Sequence, residues 1–93
     1  MQFMVIERVR EENVRRVGER FARQGRMMPQ NVRYVASWLV PSGAVCYQVM
    51  EAPDRESLEP WLNAWRDLVD FEVHEVLTSA EYWARRADGA PNA

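Results

Sequence analysis

The sequence predicts an α+β domain: a four-stranded antiparallel sheet with two helices on one face and a short C-terminal helix. Two observations carry the prediction. Apolar residues recur with a strand period over four segments and a helical period over two, in the order strand, helix, strand, strand, helix, strand. That βαββαβ order places both helices on the same side of one sheet. The strands are also apolar on both sides. From Val32 to Val40, alternation puts Val32, Tyr34, Ala36, Trp38 and Val40 on one face, with Val35 and Leu39 beside Arg33 and Ser37 on the other. From Ala44 to Met50, Val45, Tyr47 and Val49 oppose Ala44, Cys46 and Met50. A sheet with one wet side alternates apolar with polar, so the face away from the helices needs a cover, most simply a second copy of the chain.

Each element has its own signals. Phe3 to Val9 reads as the first strand. Glu11 to Met27 has helical spacing, with Val14, Val17, Phe21 and Met28 on one stripe, acids Glu11 and Glu12 at its start and Arg20, Arg23 and Arg26 toward its end. Gly25 and Pro29 mark its finish. The second strand, Val32–Val40, turns through Pro41-Ser42-Gly43 into the third, which ends near Glu51. A second helix runs from Asp54 or Ser57 to Asp67, its stripe formed by Leu58, Trp61, Leu62, Trp65 and Leu68 or Val69. Pro60 fits its first turn if Ser57 is the N-cap. Phe71 to Leu77 is the fourth strand. Thr78-Ser79-Ala80-Glu81 spells a capping box that opens a terminal helix, stopped by Gly89 and Pro91.

With 93 residues the chain is long enough for one domain, with its core over about residues 2–81 and a helical tail over 79–93. Its 47% apolar and 28% charged content is that of a folded globular protein, not a disordered one. The apolar runs fall far short of the ~20 residues that span a bilayer, and residues 3–6 lack the flanks of a secretory signal, so no membrane partner is expected. A lone cysteine, Cys46, leaves no internal disulfide and fits a reducing, cytoplasmic setting. All twelve basic residues are arginine. Eight of them lie in residues 1–33 with four acids, against four arginines and ten acids in residues 34–93. The net charge of −2 argues against a nucleic-acid partner, whereas the asymmetry would help two copies dock.

The segments FMVIERV (3–9), GRMMP (25–29), RYVASW (33–38), CYQVMEA (46–52) and WRDLVDFEV (65–73) together resemble a family of short bacterial proteins catalogued as a domain of unknown function in the dimeric α+β-barrel superfamily. The resemblance spans roughly residues 2–81. It implies a ferredoxin-like fold and a homodimer, and it carries no activity over to this chain.

Few residues offer chemistry. His74, the sole histidine, shares a strand face with Glu72, which suits either an oriented acid–base pair or a hydrogen bond inside a sheet–sheet contact. One histidine and one cysteine are too few for a zinc or mononuclear iron site, so no metal is expected and no cofactor is called for. Glu7 and Glu75 fall on otherwise apolar strand faces. They are expected to pair with an arginine, Arg26 or Arg66, or else to sit in a pocket with a raised pKa. Cys46 reads as a buried small hydrophobe. The four tryptophans fit core packing or a pocket between sheet and helices. In the pocket reading Tyr34, Trp38, Tyr47 and Trp65 border one cavity, with Arg26 available for an anionic group and His74 at the edge. The function expected is binding of an aromatic or apolar small molecule by a homodimer, open to turnover without a tightly held cofactor, with catalytic residues unassigned. The alternative is a non-enzymatic dimerisation or protein-interaction module with no ligand pocket.

Overall fold

A computed structural model describes residues 1–86. Strands β1 (Gln2–Val9), β2 (Arg33–Leu39), β3 (Val45–Glu51) and β4 (Val69–Val76) form one sheet in the order β2-β3-β1-β4. All neighbours run antiparallel, with β1 paired to both β3 and β4. Among the described residues, helices α1 (Glu11–Gln24), α2 (Glu59–Trp65) and α3 (Ser79–Ala84) accompany the sheet, and a 3-10 turn, Glu56–Leu58, leads into α2. The arrangement is the ferredoxin-like α+β fold.

The core lies between the sheet and α2. Phe3, Val5 and Val9 of β1, Met50 of β3 and Val69 of β4 are buried against Leu58, Trp61, Leu62 and Trp65. These four are the apolar stripe read from the sequence, and Trp61 also packs on Phe71 with ring centroids 5.2 Å apart. Helix α1 behaves differently. None of its residues is buried; Val14 and Val17 are half-buried and Phe21 is 45% exposed. Its position is held by a polar tether as well. Arg20 donates to both carboxylate oxygens of Asp67 (2.8 and 2.7 Å) and to the Ala64 carbonyl (2.9 Å), with its guanidinium 5.5 Å from the centre of the Trp65 ring. A helix moored this way stands off the sheet and leaves space beneath it.

The largest departure from simple alternation lies in β2. Arg33 pairs with Glu51 and Tyr34 with Met50, but the next partners are Ala36 with Val49, so Val35 is an extra residue in a β-bulge. A bulge advances one strand by one residue and inverts every later side chain relative to simple alternation. Tyr34 therefore faces the helices, whereas Ala36 and Trp38 face away. Ser37 and Leu39, level with Gln48 and Cys46, take the helix side. The expected single face of Val32, Tyr34, Ala36, Trp38 and Val40 is thus divided at Val35.

Element ends differ for local reasons. Helix α1 stops at Gln24 rather than Met27 because Gly25 (φ 65°) and Met27 (φ 58°) both adopt the left-handed region. The start of α2 is organised by Asp54, whose Oδ1 accepts from both the Ser57 N–H (2.8 Å) and the Ser57 hydroxyl (2.7 Å). Pro60 is then tolerated, since it falls within the first turn of α2, where its missing N–H has no helical partner to lose. The Thr78–Glu81 capping box forms as read, and α3 ends at Ala84; Gly89 and Pro91 lie outside the described residues. No helix among the described residues is long and apolar enough to cross a membrane.

Candidate functional site

A cavity of about 290 Å³ lies between the sheet and the two helices α1 and α2. Its floor is a polar patch made by strand register. Glu7 of β1 sits directly opposite Cys46 of β3, and Gln48 of β3 opposite Ser37 of β2. Its roof is apolar, formed by Val17 and Phe21 of α1 with Trp61 and Trp65 of α2. Arg26 closes one side.

Arg26 is held from several directions. The flanking left-handed residues Gly25 and Met27 turn the chain sharply at this point, and the Met27 conformation costs ~1 kcal/mol for a residue with a side chain. The Arg26 carbonyl accepts a hydrogen bond from Trp65 Nε1 (3.0 Å). Its guanidinium lies over the Tyr34 ring, 3.7 Å from the centroid, and 5.2 Å from that of Phe21. It also reaches Ser37 Oγ at 3.5 Å, while the Tyr34 hydroxyl and Ser37 share a 2.8 Å hydrogen bond. Two rings and a hydroxyl therefore fix the charge at the cavity edge.

Glu7 is the strongest perturbation in the site. Burial pushes its carboxyl up from 4.5 to about 7, against the opposing pull of the Arg26 charge and a hydrogen bond from Cys46. The Cys46 thiol is itself pushed up to about 11, by burial first and by the neighbouring Glu7 charge second, so it stays a thiol rather than a thiolate nucleophile. Neither of the arginines expected as ion-pair partners takes that role. Among the described residues Glu7 has no ion pair, and Arg66 is engaged by Glu59 and Asn63. Gln48, 4% exposed, spends its amide N–H on the Met50 sulfur (3.2 Å). Trp61, at 2% exposure, keeps an indole N–H without a hydrogen-bond partner among the described residues.

The expected ring of site residues is split between two surfaces. Arg26 and Trp65 line the cavity, and Tyr34 stands behind Arg26. Trp38, Tyr47 and His74 lie on the opposite face of the sheet, so the four rings do not border one space. For Trp38 the cause is the Val35 bulge; Tyr47 and His74 share its side because Tyr47 pairs with Trp38 and with Ile6, and His74 pairs with Met4. There His74 Nε2 meets Glu72 Oε2 at 2.5 Å, and Arg8 bonds the other Glu72 oxygen at 2.8 Å. Those two bonds, the histidine's first, hold the Glu72 carboxyl below the usual range. Glu75 falls on the helix side opposite Phe3 but is exposed. The floor residues Ser37, Cys46 and Gln48 were not foreseen as a group. Their one signal in the sequence is small or polar side chains at alternate positions of two strands, Cys46 level with Glu7 and Ser37 and Gln48 level with Val5.

The outer face carries its own pattern. Trp38, Tyr47 and Ile6 lie in one row across the sheet, and Ala36, Val49 and Met4 in the next. Trp38 is 59% exposed and Tyr47 42%. Charged pairs bound this patch: Arg33 with Glu51 at one end and Arg8 with Glu72 at the other.

No group of three or more His, Cys, Asp or Glu side chains among the described residues could hold a metal ion. Comparison with the curated proteins and with the solved structures gives no significant match. The profile of one family, the domain of unknown function DUF3303, matches residues 1–89, and the chain belongs to that family.

Proposed function

We propose that this protein binds a small aromatic or otherwise apolar molecule in the cavity between sheet and helices. One observation carries the reading: an aromatic roof over a polar floor, around a space of about 290 Å³. Ligand sites combine apolar walls with a few convergent polar groups and a perturbed titratable residue. Size supports the same class, since an apolar cavity of ~150 Å³ already accepts benzene. Glu7 gains and loses its proton near neutrality, so chemistry here would be proton transfer, which needs no tightly held cofactor. Native mass spectrometry of protein purified from its own host tests the reading. A retained small molecule supports it; a bare chain that also fails to take up any single-ring aromatic compound refutes it.

The partner we propose is a second copy, docked across the outer face in the manner of a dimeric α+β barrel from a bacterial cytoplasm. Support comes from the two apolar rows centred on Tyr47, Ile6, Val49 and Met4, which leave large side chains in water. The charged pairs at the borders present both signs to an incoming copy. That surface also favours the second reading, a module whose work is pairing alone. Sedimentation at micromolar concentration should give a dimer, and Ile6→Asp a monomer with its strand signal retained. A compact parent monomer, stable to dilution, would refute the dimer.

A further inference from the structure

Two opposite charges face the same cavity without touching. Glu7 lines the floor and Arg26 the side, and neither has an ion-pair partner among the described residues. Other charges on the sheet and helices do meet: Arg8 reaches Glu72 and Arg20 reaches Asp67. Arg26 is instead held in place by Tyr34, Phe21 and Ser37, while Glu7 stands opposite Cys46 on the neighbouring strand. A polar group of the ligand can fill the gap. It must donate toward the carboxylate and accept from the guanidinium. A ligand carboxylate would meet the Glu7 charge, an ammonium would meet Arg26, and an ether has nothing to donate. A hydroxyl satisfies both from a single oxygen. The roof of Phe21, Trp61 and Trp65 suits a flat ring beside it.

We propose that Glu7 and Arg26 together receive the hydroxyl of a phenol, Glu7 accepting its hydrogen and Arg26 donating to its oxygen. This rests on the cavity being a ligand site and names the class of molecule it takes. The complex holds one proton between carboxylate and phenol oxygen. Either partner can carry it, and no bond beyond O–H is broken or made.

Binding should then depend on pH. Among the described residues the groups facing Glu7 are the thiol of Cys46 from β3, which stays protonated, the guanidinium of Arg26 from the segment after α1, and Phe71 from β4. Helices α1 and α2 present no titratable side chain to the cavity. Below about pH 7 Glu7 is protonated, and its neutral carboxyl accepts the phenol hydrogen more weakly than the carboxylate does. Above ~10, where a tyrosine-like phenol ionises, the complex holds one proton too few. Affinity for such a phenol is therefore highest between these limits.

Isothermal titration of the whole protein with p-cresol and with its methyl ether, 4-methylanisole, tests the proposal. The phenol should bind at least tenfold more tightly at pH 8. Its affinity should fall as pH drops through about 7, and this limb should vanish in Glu7→Gln. If the ether binds as tightly as the phenol, the cavity takes rings but the hydroxyl assignment is overturned. The same holds if the acid limb survives in Glu7→Gln. Absence of binding by either compound would overturn the cavity reading itself. The comparison of two ligands on the parent protein needs no variant to fold.

Discussion

Replacing Glu7 by Gln should make the protein more stable, by an amount that grows from about pH 4.5 and is full above about pH 7. The folded carboxyl has a pKa of about 7 against 4.5 for the free side chain. At pH 4 both folded and unfolded chains carry the proton, and burial of Glu7 costs little. As pH rises through 4.5 the unfolded chain releases its proton while the folded chain keeps it. Stability then falls with pH, because the unfolded state binds fewer protons. The loss is complete once the folded group ionises, above about pH 7. At 1.36 kcal/mol per pKa unit the full effect is roughly 3 kcal/mol. Contact with water in the cavity reduces it to ~1–3 kcal/mol. The amide of Gln has nearly the same shape and never ionises, so it removes this penalty. Urea unfolding of parent and variant at one fixed protein concentration, from pH 4 to pH 9, reads the difference directly. The variant should match the parent to within ~0.5 kcal/mol at pH 4 and exceed it by ~1–3 kcal/mol at pH 8.5, or ~4–8 °C in melting temperature per kcal/mol. A difference independent of pH, or a variant that weakens as pH rises, would refute the assignment of Glu7 as a carboxyl raised by burial.

Leu62, 1% exposed beneath α2, should cost ~2–5 kcal/mol when cut to Ala, measured by chemical denaturation; a loss under ~0.5 kcal/mol would mean that the stripe does not carry the core. Trp65→Phe should cost ~1 kcal/mol more than Trp61→Phe, since the Trp65 N–H bonds the Arg26 carbonyl and the Trp61 N–H bonds nothing, and equal losses would count against that bond. Thr78→Ala removes the hydroxyl that accepts from the Glu81 N–H at 3.0 Å. It should cost the end of the chain ~1 kcal/mol, seen as faster amide exchange confined to α3, and unchanged exchange there would refute the cap.

The order of elements was legible because each segment keeps one hydrophobic period along its length. The stripe Leu58, Trp61, Leu62 and Trp65 could be read residue by residue, and all four are buried. The site was legible only in fragments. Glu7 stands out in the sequence as an acid on an apolar strand face, and its half-buried carboxyl, raised by desolvation and without an ion pair among the described residues, matches the pocket alternative to ion pairing. Arg26 and Trp65 do line the cavity, but Trp38, Tyr47 and His74 lie across the sheet from it. The reason is physical. Which face a strand residue takes depends on every residue before it in the ladder, and one extra residue at Val35 inverts the rest of β2 without altering local composition. The stand-off of α1 was hidden for another reason. Its stripe of Val14, Val17 and Phe21 has an ordinary helical period that does not show how far it is seated, and the tether from Arg20 to Asp67 in the turn after α2 joins residues far apart in the sequence.

The bulge at Val35 leaves β2 with one residue to spare, and this decides where the chain can absorb a change in length. Tyr34 and Ala36 pair with the consecutive residues Met50 and Val49, so Val35 has no place of its own in the ladder. Its loss would close β2 into regular alternation without displacing another pair. Tyr34 would still point inward, Ala36 and Trp38 outward, and Ser37 would keep its place beneath Arg26. Only the local twist and one exposed apolar side chain would go. A deletion in the middle of β3 has no such slack. That strand pairs residue for residue with β1, so removing Gln48 would carry one half of it into the opposite frame and exchange Cys46 with Tyr47 between the two surfaces. Relatives one residue shorter at Val35 would therefore keep both the cavity and the outer face. Relatives shortened within β3 would keep neither, however similar their remaining residues.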